Sequence, residues 1–112
     1  MQIRETRNGP IAVLQLSGRL TVNDQPGMLR EAVTTALTGG AKHVLLDLSG
    51  VHYIDSTRLG EIISAHVTVT RRGGRLRLVG TPDRITELLA IAGLEGVFER
   101  FATINEASTQ LS

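Results

Sequence analysis

The sequence predicts an α/β domain in which helices pack over a mixed sheet of four to five strands. Short apolar segments typical of strands alternate with longer segments in which apolar residues recur every three or four positions. The predicted order is β-β-α-β-α-β-α-β-α, which favours parallel strands joined by right-handed crossovers. At 112 residues the chain has the length of one domain, so we expect residues 1–112 to form a single unit.

The strand segments differ in how deeply they are expected to be buried. "IRET" and "IAVLQLSG" flank Asn8-Gly9, which is a strong hairpin signal, although Pro10 suggests a looser loop. "HVLLDLSG" is the most apolar segment, and we expect Val44 to Leu48 to form a central, parallel strand, with "VHYI" continuing beyond a bend. "RLRLVG" and "VFERF" complete the sheet.

The helices are predicted from their start signals and their periodicity. Asn23 or Asp24 can cap the first helix. The second helix is expected from Thr57. Its predicted apolar face consists of Leu59, Ile62, Ile63, His66, Val67 and Thr70. Thr81 is the predicted cap of the third helix, and "TINE" is a capping box before a short last helix.

The segment "RRGGRLR" is a basic cluster that has two possible interpretations. Arg71 and Arg72 lie in the last turn of the second helix, where cations complement the helix dipole. Arg75 and Arg77 are then expected on the solvent face of the next strand. The alternative is that the cluster contacts an acidic partner surface.

Composition excludes several classes of function. Cysteine is absent, which rules out disulfides and thiolate metal sites. With a net charge of +1, one Tyr, two Phe and no Trp, a nucleic-acid partner is not expected. No apolar run approaches the roughly 20 residues that span a bilayer, and the amino-terminal residues carry no signal-peptide pattern. We therefore expect a cytoplasmic protein that does not insert into a membrane.

Catalytic motifs are missing as well. Ser56, His52 and Asp55 could be imagined as a hydrolase triad, but the G-x-S-x-G motif that presents such a serine is absent. Neither H-E-x-x-H nor a glycine-rich nucleotide motif is present. We expect no enzyme activity, no catalytic residue, no metal and no cofactor.

The second helix is predicted to begin at the polar triplet Asp55, Ser56 and Thr57. Two interpretations of this triplet remain open. One such residue suffices as a helix cap, which is worth about 1 kcal/mol. The other interpretation is a modifiable hydroxyl, because a phosphate on Ser56 or Thr57 would lie near free N–H groups and the positive end of the helix dipole.

Three segments carry a resemblance to a known family. They are "GRL", "HVLLDLSGVHYIDSTRLGEI" and "RRGGRLRLVGTPDRITELLAIAGLEGVFERF". Together with the predicted element order, the resemblance covers nearly the whole chain. The chain resembles the STAS domains of bacterial anti-sigma factor antagonists. The most specific element is the family's D-S-[ST]-G-L-G segment, matched here by residues 55–60, D-S-T-R-L-G.

The resemblance implies partner switching. An anti-sigma factor with serine/threonine kinase activity would phosphorylate Thr57, with Ser56 as the alternative acceptor. The unphosphorylated protein would bind the anti-sigma factor and free a sigma factor, phosphorylation would release it, and a phosphatase is an expected further partner. The implied partner-binding surface consists of Asp24, Asp55, Ser56, Thr57, Arg58, Leu59 and Glu61.

Two positions depart from the family pattern. Arg58 replaces the glycine after the hydroxyl pair, where it would either obstruct the kinase or pair with a phosphate. Thr21 stands where the family often has Asp, with Asp24 three residues on. The alternatives are therefore a non-phosphorylated STAS docking subunit of a larger signalling or transporter complex, or, in another class, a small nucleotide-binding or flavodoxin-like enzyme.

Overall fold

A tight hairpin opens the fold. In the computed structural model, which describes residues 1–20 and 27–111, strands β1 (Gln2–Asn8) and β2 (Ile11–Leu20) pair antiparallel. Asn8 lies opposite Ile11, so two residues make the turn, and Gly9 adopts a φ of 60° that glycine tolerates well. The predicted hairpin is confirmed, but the looser loop suggested by Pro10 is wrong, because only two residues connect the strands.

Within the described residues, seven further elements follow in the predicted order. They are α1 (Met28–Thr38), β3 (His43–Ile54), α2 (Ser56–Arg71), β4 (Leu76–Val79), α3 (Asp83–Ile91), β5 (Glu99–Phe101) and α4 (Ile104–Ser108). The start of α1 follows Gly27, and the predicted caps Asn23 and Asp24 lie outside the described residues. The start of α3 was predicted one residue early, since Pro82 and not Thr81 is its cap residue.

The strand order β1-β2-β3-β4-β5 decides where the helices lie. β2 to β5 are parallel neighbours, and each crossover moves one strand along the sheet in the same direction. With one handedness for all crossovers, α1, α2 and α3 pack on the same face. The main core is formed there between the strands and these helices, for example by Leu14, Leu46, Leu78, Leu29, Ile62 and Ile85.

The other face of the sheet is covered by α4, and this corrects one prediction. Arg77 was expected in solvent but is buried, with 6% of its surface exposed. Its Nη1 donates to the carbonyl oxygens of Ala107 at 2.9 Å and Thr109 at 3.0 Å. Its guanidinium lies 5.0 Å from the centre of the Phe101 ring. Arg75 is exposed as predicted.

β3 is longer than the predicted apolar strand from Val44 to Leu48 and ends directly before the start of α2. It stays paired with β2 up to Leu20 opposite Ile54, through register shifts in the pairing. Gly50 allows this close approach, because a Cβ there would lie 3.2 Å from the carbonyl oxygen of Leu16. The strands β2 and β3 therefore end side by side at the point where α2 begins.

Candidate functional site

Asp55 caps α2. Its Oδ1 accepts the backbone N–H of Arg58 at 2.9 Å, and its carbonyl oxygen accepts the backbone N–H of Leu59 at 3.0 Å. The backbone N–H of Asp55 donates to the carbonyl oxygen of Leu20 at 3.0 Å, which fixes the helix start to the end of β2. The capping role predicted for the polar triplet thus belongs to Asp55.

Ser56 and Thr57 are the first two residues of α2, and both are exposed. Because Asp55 supplies the side-chain cap, neither hydroxyl is needed for that purpose. The N–H groups of a helix's first turn have no acceptor within the helix, and the dipole is positive at this end. Two hydroxyls are therefore presented to solvent at a helix end that favours negative charge.

Arg58 lies beneath this surface. Only 2% of it is exposed, and its Nη1 forms an ion pair with Oε2 of Glu61, three residues later on the same helix. Glu61 is partly buried, with 19% of its side chain exposed. The guanidinium is thus held against the protein and is not presented to solvent beside Thr57.

The buried face of α2 differs from the predicted one. It consists of Arg58, Leu59, Ile62, Ala65 and Val69. Val67 and Thr70, which were expected on the apolar face, are exposed instead. The predicted face was therefore wrong at those two positions, and Arg58, Ala65 and Val69 are buried although the prediction did not include them.

The predicted partner-binding residues fall into three groups. Ser56 and Thr57 are exposed, and Asp55 and Glu61 are partly buried at the same helix end. Arg58 and Leu59 are buried, so they can support this surface from beneath. Asp24 lies outside the described residues. The assignment of all of them to partner binding stays a prediction.

One contact near this helix start has no local sequence signal. The guanidinium of Arg19 lies 5.0 Å from the centre of the Tyr53 ring, as a cation–π pair. The two residues are neighbours across β2 and β3. Their pairing depends on the register shifts between these strands, which a linear pattern does not encode.

The histidines have structural surroundings or lie in solvent. His43 is buried, and its Nδ1 accepts the backbone N–H of Arg75 at 3.0 Å. His66 packs edge-to-face on Phe98 with ring centres 5.1 Å apart. His52 is exposed. Across residues 1–20 and 27–111, no group of three or more His, Asp or Glu residues is placed to hold a metal ion, and no helix in these ranges has the length and apolar character to cross a membrane.

Two relatives by sequence are anti-sigma factor antagonists by name. The chain is 28% identical over 95 residues to the anti-sigma-B factor antagonist of Staphylococcus aureus, covering 85% of this chain and 87% of the relative. It is 37% identical over 71 residues to a protein of Thermotoga neapolitana that is provisionally named an anti-sigma factor antagonist. That match spans 63% of each chain, which is less than two thirds of the relative's length.

Solved structures share the fold. The anti-sigma factor antagonist SpoIIAA in its unphosphorylated form has a TM-score of 0.79 at 17% identity, covering 95% of this chain and 92% of that one. The phosphorylated form of SpoIIAA from Bacillus has a TM-score of 0.75 at 19% identity, with 95% and 96% coverage. At these identities the likeness concerns the fold alone. The STAS domain family matches the chain over residues 2–107, and the chain therefore belongs to the STAS domain family.

Proposed function

We propose that this protein is a cytoplasmic, non-enzymatic anti-sigma factor antagonist that regulates transcription by partner switching. In its unphosphorylated form it binds an anti-sigma factor that is also a serine/threonine kinase. Phosphorylation of Thr57 releases it, and a phosphatase restores the binding form. Family membership, the names of the sequence relatives and the geometry at the start of α2 support this proposal.

The main observation behind the proposal is that the cap of α2 and its exposed hydroxyl belong to different residues, Asp55 and Thr57. Asp55 caps the helix through its contact with the backbone of Arg58, while Thr57 is exposed in the first turn. A kinase can therefore reach the hydroxyl without disturbing the cap. Modification of Thr57 changes the surface and leaves the fold intact.

The charge change is large enough for a switch. A phosphate adds about −1.5 to −2 charges at pH 7. An unpaired charge in a desolvated interface can cost several kcal/mol. A loss of roughly 3 to 4 kcal/mol weakens binding several-hundredfold. The phosphate itself is tolerated in the free protein, because it lies at the positive end of α2.

The position of Arg58 bears on how a kinase would approach. The family's glycine leaves space for another backbone. Here the side chain that replaces the glycine is buried and paired with Glu61. The proposal therefore assigns Arg58 to holding the first turn of α2 from beneath, and Thr57 keeps an open approach from solvent.

A phosphorylation assay tests the proposal directly. The protein is incubated with its cognate anti-sigma kinase and ATP, and the phosphate is located by mass spectrometry. We expect it on Thr57. Ser56→Ala serves as the matched control, because it removes the neighbouring hydroxyl and should leave phosphorylation intact. Thr57→Ala should take up no phosphate and bind the anti-sigma factor constitutively.

Two results would contradict this assignment. Phosphate on Ser56 in the wild-type protein would show that Ser56, and not Thr57, is the acceptor, and the partner-switching mechanism would stay the same. No phosphate on either residue, with a kinase shown to be active on another substrate, would favour a docking subunit that is not phosphorylated.

A further inference from the structure

An exposed cation is held in place beside the start of α2. The guanidinium of Arg19 lies 5.0 Å from the centre of the Tyr53 ring. Arg19 is exposed and Tyr53 is partly buried. Because the face of an aromatic ring attracts a cation, Tyr53 fixes a side chain that would otherwise sample many rotamers.

The pair belongs to the same end of the molecule as Thr57. Arg19 is the neighbour of Tyr53 across the strands, and the next pair along is Leu20 with Ile54, directly before Asp55. Four peptide units separate the Cα atoms of Tyr53 and Thr57, so they are at most about 14 Å apart. A standard interface covers about 800 Å² of each partner, a disc of roughly 16 Å radius. The Cα atom of Tyr53 thus lies within the radius of an interface centred on Thr57.

Arg19 is an uncompensated positive charge within the described part of this surface. Among residues 1–20 and 27–111, no carboxylate lies within ion-pair distance of it. The acidic groups at the helix start are already engaged, because Asp55 accepts the N–H of Arg58 and Glu61 pairs with its guanidinium. The described surface around the hydroxyls thus offers a cation to a partner.

We propose that Arg19, held over Tyr53, extends the partner surface at the start of α2 and binds a carboxylate of the anti-sigma factor. This inference rests on the proposed function and adds the chemistry of the partner's contact. Complementary charge at the edge of an interface acts chiefly on the association rate. A phosphate on Thr57 then places an anion in the same footprint, so the partner's carboxylate meets repulsion where it met attraction.

Association kinetics with the purified anti-sigma factor, measured at low and high ionic strength, test the inference. We expect Arg19→Glu to lower kon about tenfold at low ionic strength, with a smaller difference in high salt. Arg19→Gln, which removes the charge and keeps most of the stem, should show a smaller loss. Arg72→Glu is the matched control, because Arg72 is also exposed and lies beyond the far end of the 16-residue α2, about 24 Å away.

The ring is tested separately. Tyr53→Leu removes the aromatic face and should lower kon about two- to threefold, since the guanidinium is no longer held. Tyr53→Phe keeps the face and should bind like the wild-type protein. Equal losses in these two variants would show that the hydroxyl matters and would overturn the role given to the ring.

The outcomes distinguish this inference from the proposed function. If Arg19→Glu and Arg72→Glu slow association equally, only net charge matters and the inference is wrong. If the wild-type protein binds and is phosphorylated on Thr57 while both Arg19 variants bind normally, the inference fails and the proposed function stands. If the wild-type protein does not bind the anti-sigma factor at all, the proposed function fails, and the inference fails with it.

Discussion

Replacement of Arg58 by glycine separates a support role for this residue from a role as an obstacle to the kinase. Arg58→Gly restores the residue that the family carries, but it also removes a guanidinium that is 2% exposed and paired with Glu61. If the arginine supports the helix start, the variant loses stability and gains nothing in phosphorylation. If the arginine obstructs the kinase, phosphorylation becomes faster.

The expected loss can be worked from the surroundings of the pair. Removing one partner of a fully buried ion pair costs about 3–5 kcal/mol. Glu61 retains 19% exposure of its side chain, so water can reach its carboxylate and the loss should lie below that range. Glycine in a helix costs about 1 kcal/mol relative to alanine. We expect Arg58→Gly to lower the free energy of unfolding by about 2–4 kcal/mol.

Urea denaturation of Arg58→Gly and of three further variants measures this loss and assigns its origin. Arg58→Ala separates the loss of the guanidinium from the added flexibility of glycine, and it should retain most of the effect. Glu61→Gln should be clearly destabilising. The double variant Arg58→Ala/Glu61→Gln should lose less free energy of unfolding than the two single variants together, because the two residues interact directly. The phosphorylation rate of folded Arg58→Gly should equal that of the wild-type protein.

One pattern of results would contradict the support role of Arg58. If Arg58→Gly is as stable as the wild-type protein and is phosphorylated several times faster, the side chain does not support α2 and instead stands in the path of the kinase.

Two further predictions concern the cap and the second face of the sheet. Asp55→Ala should lower the free energy of unfolding by about 1 kcal/mol in urea denaturation, because a backbone N–H at the start of α2 loses its acceptor; a variant as stable as the wild-type protein would show that another group takes over the cap. Arg77→Met should raise the hydrogen exchange rate of the α4 amides, because two carbonyl oxygens lose their donor, at a cost of about 1–3 kcal/mol. Arg75→Met is the exposed control for Arg77, and equal effects of the two would contradict the assigned role of the buried arginine.

Local sequence patterns were sufficient to predict most of the architecture. The spacing of apolar residues and the glycine pairs predicted the order of the elements, and the part of the chain that the structure describes confirms it. Asn8-Gly9 predicted the hairpin, and the run from Val44 to Leu48 predicted the central parallel strand. These features were predictable because caps, turns and periodicity are set by residues a few positions apart.

The details of the candidate site were harder to predict from the sequence. The triplet Asp55, Ser56 and Thr57 was recognisable as a cap or a modifiable site, but which residue caps follows from one distance in the folded chain. Arg58 was expected to obstruct the kinase or to pair with a phosphate, and either role requires an exposed guanidinium. The helix direction instead carries it inward, where Glu61 lies one turn away on the same side.

The element order, the polar triplet at a helix start and the family resemblance thus followed from local sequence patterns. The surroundings of three arginines, in contrast, follow from how the chain packs. Arg77 is buried because α4 returns to cover its strand, Arg58 is buried because α2 packs against the sheet, and Arg19 meets Tyr53 because the pairing of β2 with β3 shifts register. Each outcome depends on contacts between residues that the packing of the chain, and not their local pattern, brings together.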